Sequence, residues 1–308
     1  MTARAASHVL LIEPVDFRYN PETSDSNVFQ HRLDAEAALN QSQAAKRQHR
    51  ALRDLLVENG IQVTVIRSRP ETPDASFCNN WFSTHPARGG RAASTLVLYP
   101  LLAPNRRIER RPDIVDLLKQ SYGEVIDFSG REQAGAGAGA FLESTGSLCL
   151  DDQAGVAYAA ISPRTDRALA TEWAQALGYR LVAFEATDAT GVPYYHTNVM
   201  MFIGHGLAGV CLESIGTERP AVEAALAQSR LTVLPISRPQ VLSFCGNCLP
   251  LVNDVGDKFL VMSSAAYHGF LPTQRTVIER HARMLHTDLS SFEQIGGGSA
   301  RCLLGELF

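Results

Sequence analysis

Gly296-Gly297-Gly298-Ser299-Ala300-Arg301-Cys302 is followed by only six residues, Leu303 to Phe308. Three consecutive glycines permit backbone angles closed to other residues and let other groups come close. A cysteine on that turn has little side-chain bulk around it, and the residues after it suffice for one short closing strand. A thiol nucleophile needs such access, together with a base or positive field that lowers its pKa. Read alone, the stretch fits a glycine-rich loop around a buried cysteine equally well. The decision rests on what the rest of the chain supplies.

Upstream, strands and helices alternate without a linker or charge block. His8–Glu13 (HVLLIE) is an apolar run and reads as a buried strand. Phe29 to Asn59 is helix-prone, with Asp25 or Ser26 as its cap and Gly60 at its end. Ile61–Ile66 alternates as a strand, and Pro70–Pro86 reads as an irregular loop. Thr95–Tyr99 and Val125–Phe128 are strands flanking a helical stretch, Arg107–Ser121. Ser147–Leu150 and Gly155–Ala160 are strands, and Thr165–Leu177 is a helix ended by Gly178. Arg180–Phe184, Val199–Ile203 and Ala208–Leu212 read as strands, Pro220–Gln228 as a helix, Leu231–Pro235 and Phe259–Met262 as strands, and Thr273–Met284 as a helix. Two or three strands per helix argue against a doubly wound parallel sheet. They favour ββαβ-like units within a single α/β (α+β) domain spanning residues 1–308. No sequence repeat is evident.

Composition is that of a globular chain: 308 residues, 45% hydrophobic, 19% charged, net charge −4. The slight acidity gives no argument for nucleic acid or an anionic membrane surface as partner. No run approaches the ~18 apolar residues of a membrane-spanning helix. Met1–Leu10 lacks the pattern of a signal peptide, so a cytoplasmic location is expected by default. A homodimer is the base-rate expectation for assembly. Six cysteines in a chain of this length do not make a disulfide scaffold. Cys245-Gly-Asn-Cys248 has zinc or redox spacing. It lacks a second ligand pair, though, and Leu249-Pro250-Leu251-Val252 follows where a redox motif would open a helix. The Ala/Gly alternation over 134–140 reads as a flexible loop, suited to a lid, and not as a nucleotide-binding turn.

Several polar residues stand where structure alone does not ask for them. Glu143 sits between Phe141-Leu142 and a Thr-Gly turn. His196 precedes an apolar strand in Tyr195-His196-Thr197-Asn198. Asn79-Asn80 lies inside an aromatic frame, and Arg164 follows Ser162-Pro163. Each has a plain alternative as turn, edge or core chemistry. With Cys302 they make a Cys/His/Glu set in which a thiolate attacks, an imidazole moves the proton and a carboxylate orients the bound group. Asp25, Asn27, Asn253 and Asp254 have only loop position to connect them with it.

Taken together, Phe77-Cys-Asn-Asn80-Trp-Phe82, Phe141-Leu-Glu143-Ser-Thr-Gly146, Ser162-Pro-Arg164-Thr165, His196-Thr-Asn198 and the terminal glycine–cysteine turn resemble the guanidine-modifying, pentein-fold enzymes. These include arginine deiminases, amidinotransferases and dimethylargininases. The most similar branch is that of bacterial amidinotransferase-like proteins linked to citrulline use. The resemblance implies a five-bladed α/β propeller of ββαβ units with the site in its central channel. It implies Cys302 as nucleophile, His196 as proton shuttle, Glu143 as the carboxylate holding the substrate's nitrogens, and Arg164 as ligand of the substrate carboxylate. It implies no metal or organic cofactor.

Where deiminases carry carboxylates, this chain has Asn80 and Asn198. Amides cannot balance a buried guanidinium, but they match the donors and acceptors of a neutral ureido group. The expected function is therefore a cysteine hydrolase of a ureido or guanidino amino acid, with citrulline the favoured substrate, giving ornithine, carbon dioxide and ammonia through a thiocarbamoyl adduct. The alternatives are guanidine chemistry of the deiminase, dimethylargininase or amidinotransferase type and, in another class, a non-catalytic pentein binding module.

Overall fold

A computed structural model describes residues 5–32, 34–87, 93–133 and 139–308. Among these, fifteen strands form five three-stranded sheets. The strands are β1 (His8–Glu13), β2 (Gln62–Arg67), β3 (Phe82–His85), β4 (Thr95–Leu98), β5 (Glu124–Asp127), β6 (Cys149–Asp151), β7 (Val156–Ala160), β8 (Arg180–Phe184), β9 (Met201–Gly204), β10 (Leu207–Val210), β11 (Thr232–Pro235), β12 (Leu249–Val252), β13 (Lys258–Ser263), β14 (Arg283–Thr287) and β15 (Gly305–Leu307). Each sheet is one ββαβ unit. A first strand runs antiparallel to the central strand, and a third strand lies parallel to the centre after a helical crossover.

The five main crossover helices are α1 (Ala35–Glu58), α2 (Pro112–Lys119), α3 (Arg167–Leu177), α4 (Arg219–Gln228) and α5 (Pro272–Glu279). The first sheet is completed from the far end of the chain. β15 supplies its first strand, with Leu10 opposite Gly305 and His8 opposite Leu307. The last strand thus closes the five-bladed ring onto β1.

Burial explains which strands the sequence reveals. The central strands β1, β4, β7, β10 and β13 are nearly continuous buried runs, because helices cover one face and neighbouring blades the other. The first strands β3 and β12 and the third strand β14 carry no such signal. They fall within segments whose composition suggests loop or helix. β12 contains Pro250, tolerated because it lies at a sheet edge. The residue at the end of the neighbouring β9 must be glycine, since a Cβ on Gly204 would come within 2.2 Å of the Pro250 ring.

Helix α1 starts later than the sequence suggests. Its N-cap is Asp34, which accepts from Ala37 N at 2.8 Å. Neither Asp25 nor Ser26 caps it, because residues 20–30 are drawn across the ring's central channel. The lid expected at 134–140 falls largely on residues 134–138, which lie outside the described residues. No helix among the described residues is long and apolar enough to cross a membrane.

Within α1, His49 is buried with both ring nitrogens unpaired. Burial lowers its pKa to about 4, against an opposing pull from Glu13. The unfolded chain binds this proton near pH 6.5 and the folded chain only near 4, so stability is full above the former and is lost as pH falls toward the latter. We expect urea unfolding to lose up to about 3 kcal/mol between pH 7 and 4 from this residue. His49→Leu is expected to remove that portion of the loss. An unchanged pH dependence in the variant would refute the assignment.

Candidate active site

Each blade's first strand is preceded by a tight turn facing the channel. These turns are Cys78–Asn80 before β3, Ser144–Ser147 before β6, Thr197–Val199 before β9, Phe244–Asn247 before β12 and Ala300–Leu303 before β15. They are joined blade to blade. Thr145 Oγ1 donates to Asn79 O (3.2 Å), Asn198 Nδ2 to Thr145 O (3.1 Å), Asn247 Nδ2 to Asn198 O (3.0 Å) and Arg301 N to Asn247 Oδ1 (3.0 Å). One polar side chain per turn is thereby set around a common axis.

The pocket on this axis is lined by Asp74, Asn80, Arg106, Arg164, Tyr195, His196 and Cys302, with Asn27, Gln30, Phe77, Gly296 and Gly298 completing it. Cys302 and His196 share it. Glu143 lies directly behind His196, accepting at Oε2 from Nε2 at 2.8 Å. Arg164 Nη1 is 3.3 Å from the same oxygen, and Leu102 N donates to Oε1 at 3.0 Å. These contacts make Glu143 the partner of His196 and Arg164. They do not place it at the pocket wall, where a ligand of substrate nitrogens would stand.

The three glycines are required, but not to keep the thiol open. A Cβ on Gly296 or Gly298 would come within 2.5 or 2.8 Å of the Phe77 ring. Gly297, with φ +62°, takes the left-handed conformation, and a Cβ there would meet the Asn27 amide at 2.7 Å. The close approach is used by protein groups, and Cys302 is 3% exposed. Its thiol receives Asn247 Nδ2 at 3.2 Å and lies 3.8 Å from Asn198 Oδ1.

Electrostatics follow from this burial. Burial raises the Cys302 pKa, against smaller lowering contributions from Ser299 N–H, Asn247 and Arg301. His196 is driven down to about 4 by burial, only partly offset by Glu143, and is neutral. Burial raises the Glu143 pKa, but Arg164 and His196 outweigh it and hold the carboxyl well below the usual carboxylate range. The resting pair is thus a thiol and a neutral imidazole whose Nδ1 has no partner.

Asn80 and Asn198 are both committed to protein groups. Asn80 Oδ1 accepts from Arg106 Nη1 (2.8 Å), and its Nδ2 donates to Asn79 Oδ1 (3.1 Å). Asn198 donates to Thr145 O and does not line the pocket. Asn80 lines the pocket with one N–H and one lone pair not used by these bonds, whereas Asn198 stands behind it.

Four contributors were not singled out from the sequence. Arg106 pairs with Glu109 through Nε and Nη2 at 3.0 and 2.9 Å and lies 3.9 Å from Asp74. Asp74 is buried, with Oδ2 held by Asn20 Nδ2 (2.7 Å) and Thr23 Oγ1 (3.1 Å) and Oδ1 unpaired. Tyr195 lies beneath the Arg164 guanidinium, 5.1 Å from ring centroid to Cζ. Asn247 is the fourth. Phe244-Cys-Gly-Asn247 echoes Phe77-Cys-Asn-Asn80, which is the signal that could have found it.

The polar stretch before α1 straps the pocket. Ser26 Oγ and Thr23 O accept from Arg164 (2.8 and 3.0 Å), and the amides of Asn27 and Gln30 donate to Gly296 O, each at 3.1 Å. Of the loop residues in doubt, Asn27 therefore reaches the site. Asp25 is exposed, and Asn253 and Asp254 sit at the β12–β13 turn. Among the described residues no group of three or more His, Cys, Asp or Glu is placed to hold a metal.

Five ββαβ blades around a channel that holds cysteine, histidine and arginines define a guanidine-modifying enzyme of the pentein superfamily. Over residues 13–308 the chain matches the family described as N,N-dimethylarginine dimethylhydrolase, eukaryotic, and it belongs to that family. No curated protein matches it in sequence. Among solved structures, it is similar to the N-terminal domain of ArgZ covalently bonded to a reaction intermediate, with TM-score 0.72, 14% identity, and 98% of this chain and 97% of that one covered. Another structure of that domain, bound to substrate, is described as an arginine dihydrolase from the ornithine-ammonia cycle in cyanobacteria. AgrE in complex with L-arginine gives TM-score 0.74 at 15% identity, covering 98% of this chain and 40% of that longer one. A dimethylarginine dimethylaminohydrolase adduct with S-methyl-L-thiocitrulline gives 0.66 at 15% identity, covering 98% and 100%. At these identities the likeness is one of fold.

Proposed function

We propose that this protein hydrolyses a C–N bond of a guanidino amino acid, arginine or an N-methylated arginine, with Cys302 as nucleophile. The observation that carries the reading is the division of labour in the pocket. The amides through which a neutral ureido group would be recognised already spend part of their hydrogen-bonding capacity on protein groups, and the buried carboxylate of Asp74 keeps one oxygen unpaired. An unpaired oxygen on a buried carboxylate, whose other oxygen faces Arg106 at 3.9 Å, favours a further cationic donor. The family match supports the same substrate class.

A cation docked beside Sγ lowers the thiol pKa, and His196 takes the proton. Sγ then bonds to the guanidino carbon. The tetrahedral adduct expels one nitrogen, which leaves as the amine or ammonia after taking the proton from His196. A thiouronium remains on Cys302. Water, deprotonated by His196, adds to the same carbon, the C–S bond breaks, and the ureido product departs. The sum is guanidino compound plus water giving ureido compound plus amine. Glu143 holds the imidazole and stabilises its protonated form, while Arg164 is the ligand for a substrate carboxylate.

A second reading retains citrulline as substrate. Arg106, hydrogen-bonded to Asn80, places a fixed cation beside the amide pair, which disfavours a second cation there. The pure protein should be given arginine, dimethylarginine and citrulline separately, with ornithine, citrulline, amine and ammonia assayed. Turnover of a guanidino compound with citrulline inert is the expected result. Conversion of citrulline to ornithine with both guanidino compounds inert would establish the second reading. Inertness of all three, with no selective labelling of Cys302 by a mild thiol reagent, would favour a binding module. Asp74→Asn is expected to raise KM for the guanidino substrate by about 30-fold or more, the effect of removing one side of a buried charge contact.

A further inference from the structure

Asn247 has no part in the scheme above, yet its side chain touches the reacting sulfur. We propose that Asn247 is a further residue of this reaction, the donor that aims Cys302 Sγ at the substrate carbon and stabilises its thiolate. The proposal rests on the reading of Cys302 as nucleophile.

The amide's orientation is fixed by its partners. Oδ1 accepts from Arg301 N–H at 3.0 Å, a group that can only donate. Nδ2 donates to the backbone carbonyl of Asn198 at 3.0 Å, a group that can only accept. Exchanging O and N would set oxygen against oxygen and NH2 against N–H. One Nδ2 hydrogen is thereby used, and the other faces Sγ at 3.2 Å and Asn198 Oδ1 at 3.3 Å, so the thiol shares it with an amide oxygen. Thiol sulfur is a weak acceptor and thiolate a much stronger one, so this contact strengthens as the proton leaves. The second contact, Asn198 Oδ1 at 3.8 Å, works in the opposite sense, since an amide oxygen accepts only from S–H.

The backbone around Asn247 is constrained as well. Phe244 has φ +59°, a left-handed conformation uncommon for an aromatic residue. A Cβ on Gly246 would fall 2.3 Å from Val199 O, so the turn lies flat against the preceding blade. Asn247 N donates to Phe244 O at 2.8 Å and closes it. A residue that merely filled space would not need this. The charged and titratable groups around Sγ are Arg301 on its own turn, Tyr195 and His196 from the turn before β9, and Asp74, Arg106 and Arg164 across the pocket. Among side chains of the described residues, Asn247 donates to Sγ and Asn198 Oδ1 accepts from it, while the Ser299 backbone adds a further contact on the thiol's own turn.

The test is the pH dependence of Cys302 carbamidomethylation by iodoacetamide, followed by mass spectrometry of the Cys302 peptide. It is run on the wild type and on Asn247→Leu, Asn247→Asp and Asn247→Ser, with thermal unfolding and steady-state kinetics alongside. Loss of the donor in the Leu and Asp variants is expected to raise the alkylation midpoint by about one pH unit, roughly ten-fold less thiolate at a fixed pH. It is also expected to lower kcat about ten-fold or more with KM within two- to three-fold. Asn247→Ser, which keeps a short donor, should recover part of both effects. An unchanged midpoint in a folded Leu or Asp variant overturns the proposal, leaving Asn247 a blade-to-blade latch. Failure of all three variants to fold also assigns it that structural role. The alkylation readout needs no turnover, so it stands apart from the nucleophile reading, which fails on its own if Cys302→Ala remains active.

Discussion

Replacing Cys302 by alanine is expected to lower turnover of the guanidino substrate by about 10⁴-fold or more while leaving the protein folded. The size of the effect follows from covalent catalysis. Without the thiol the carbon must be attacked directly by water in a pocket built around sulfur. The structural loss is small. One buried sulfur disappears from a turn held by other contacts, including Arg301 N to Asn247 Oδ1 and the pairing of β15 with β1. Removing it leaves one Asn247 hydrogen without its partner, about 1 kcal/mol. Initial rates with and without the substitution, alongside thermal unfolding midpoints, provide the check. A variant within ten-fold of wild type would remove Cys302 from the mechanism. Wild-type protein trapped with substrate should carry the extra mass of the thiouronium on the Cys302 peptide.

Replacing Glu143 by glutamine is expected to damage both activity and stability. The carboxylate is fully buried between the His196 imidazole and the Arg164 guanidinium. Neutralising it removes the charge that stabilises protonated His196, which on the pattern of buried His–carboxylate pairs lowers kcat by about 10³- to 10⁴-fold. It also leaves Arg164 a buried cation opposite an amide. Breaking a buried pair in this way destabilises by about 3–5 kcal/mol. Ser26 and Thr23 still hold the guanidinium, so the lower end is expected. Denaturant unfolding at pH 7 and single-turnover kinetics separate the two effects. If Glu143 held substrate nitrogens instead, the variant would show its loss chiefly in KM, with unfolding nearly unchanged.

These two predictions rest on residues legible in the sequence. Cys302, His196, Glu143 and Arg164 were found because they interrupt apolar or glycine-rich contexts in a recognisable order. The partners that decide what they do were not visible. Hydrogen-bond partners on successive turns are separated by 66, 53, 49 and 55 residues. That spacing is the internal period of the fold. It is faint in the sequence because most turns differ, with only Phe77–Asn80 and Phe244–Asn247 sharing a Phe-Cys-x-Asn pattern. Asp74 and Arg106 lie in the loop before β3 and in the crossover after β4, where charged residues usually mean solvent. Asn80 and Asn198 illustrate the limit from the other side. The sequence shows that they are amides, and the expectation of a ureido substrate rests on hydrogen bonds that the protein itself partly occupies.

By itself the sequence determined the elements whose signal is local. The central strands appear as runs buried on both faces, and Gly60 and Gly178 end α1 and α3 with φ of +77° and +72°. The order of motifs ending in Gly296–Cys302 pointed to the guanidine-modifying superfamily, in agreement with the family match over residues 13–308. Tertiary structure alone decided that β15 completes the first blade, that residues 20–30 cross the channel, and that the glycines admit Phe77 and Asn27. It also decided which polar atoms remain unpaired in the pocket. Hydrogen-bond satisfaction is a property of the closed ring. An amide or carboxylate in the sequence carries the same donors and acceptors wherever it stands, and only the neighbours brought in by the other blades determine which of them are left for a substrate.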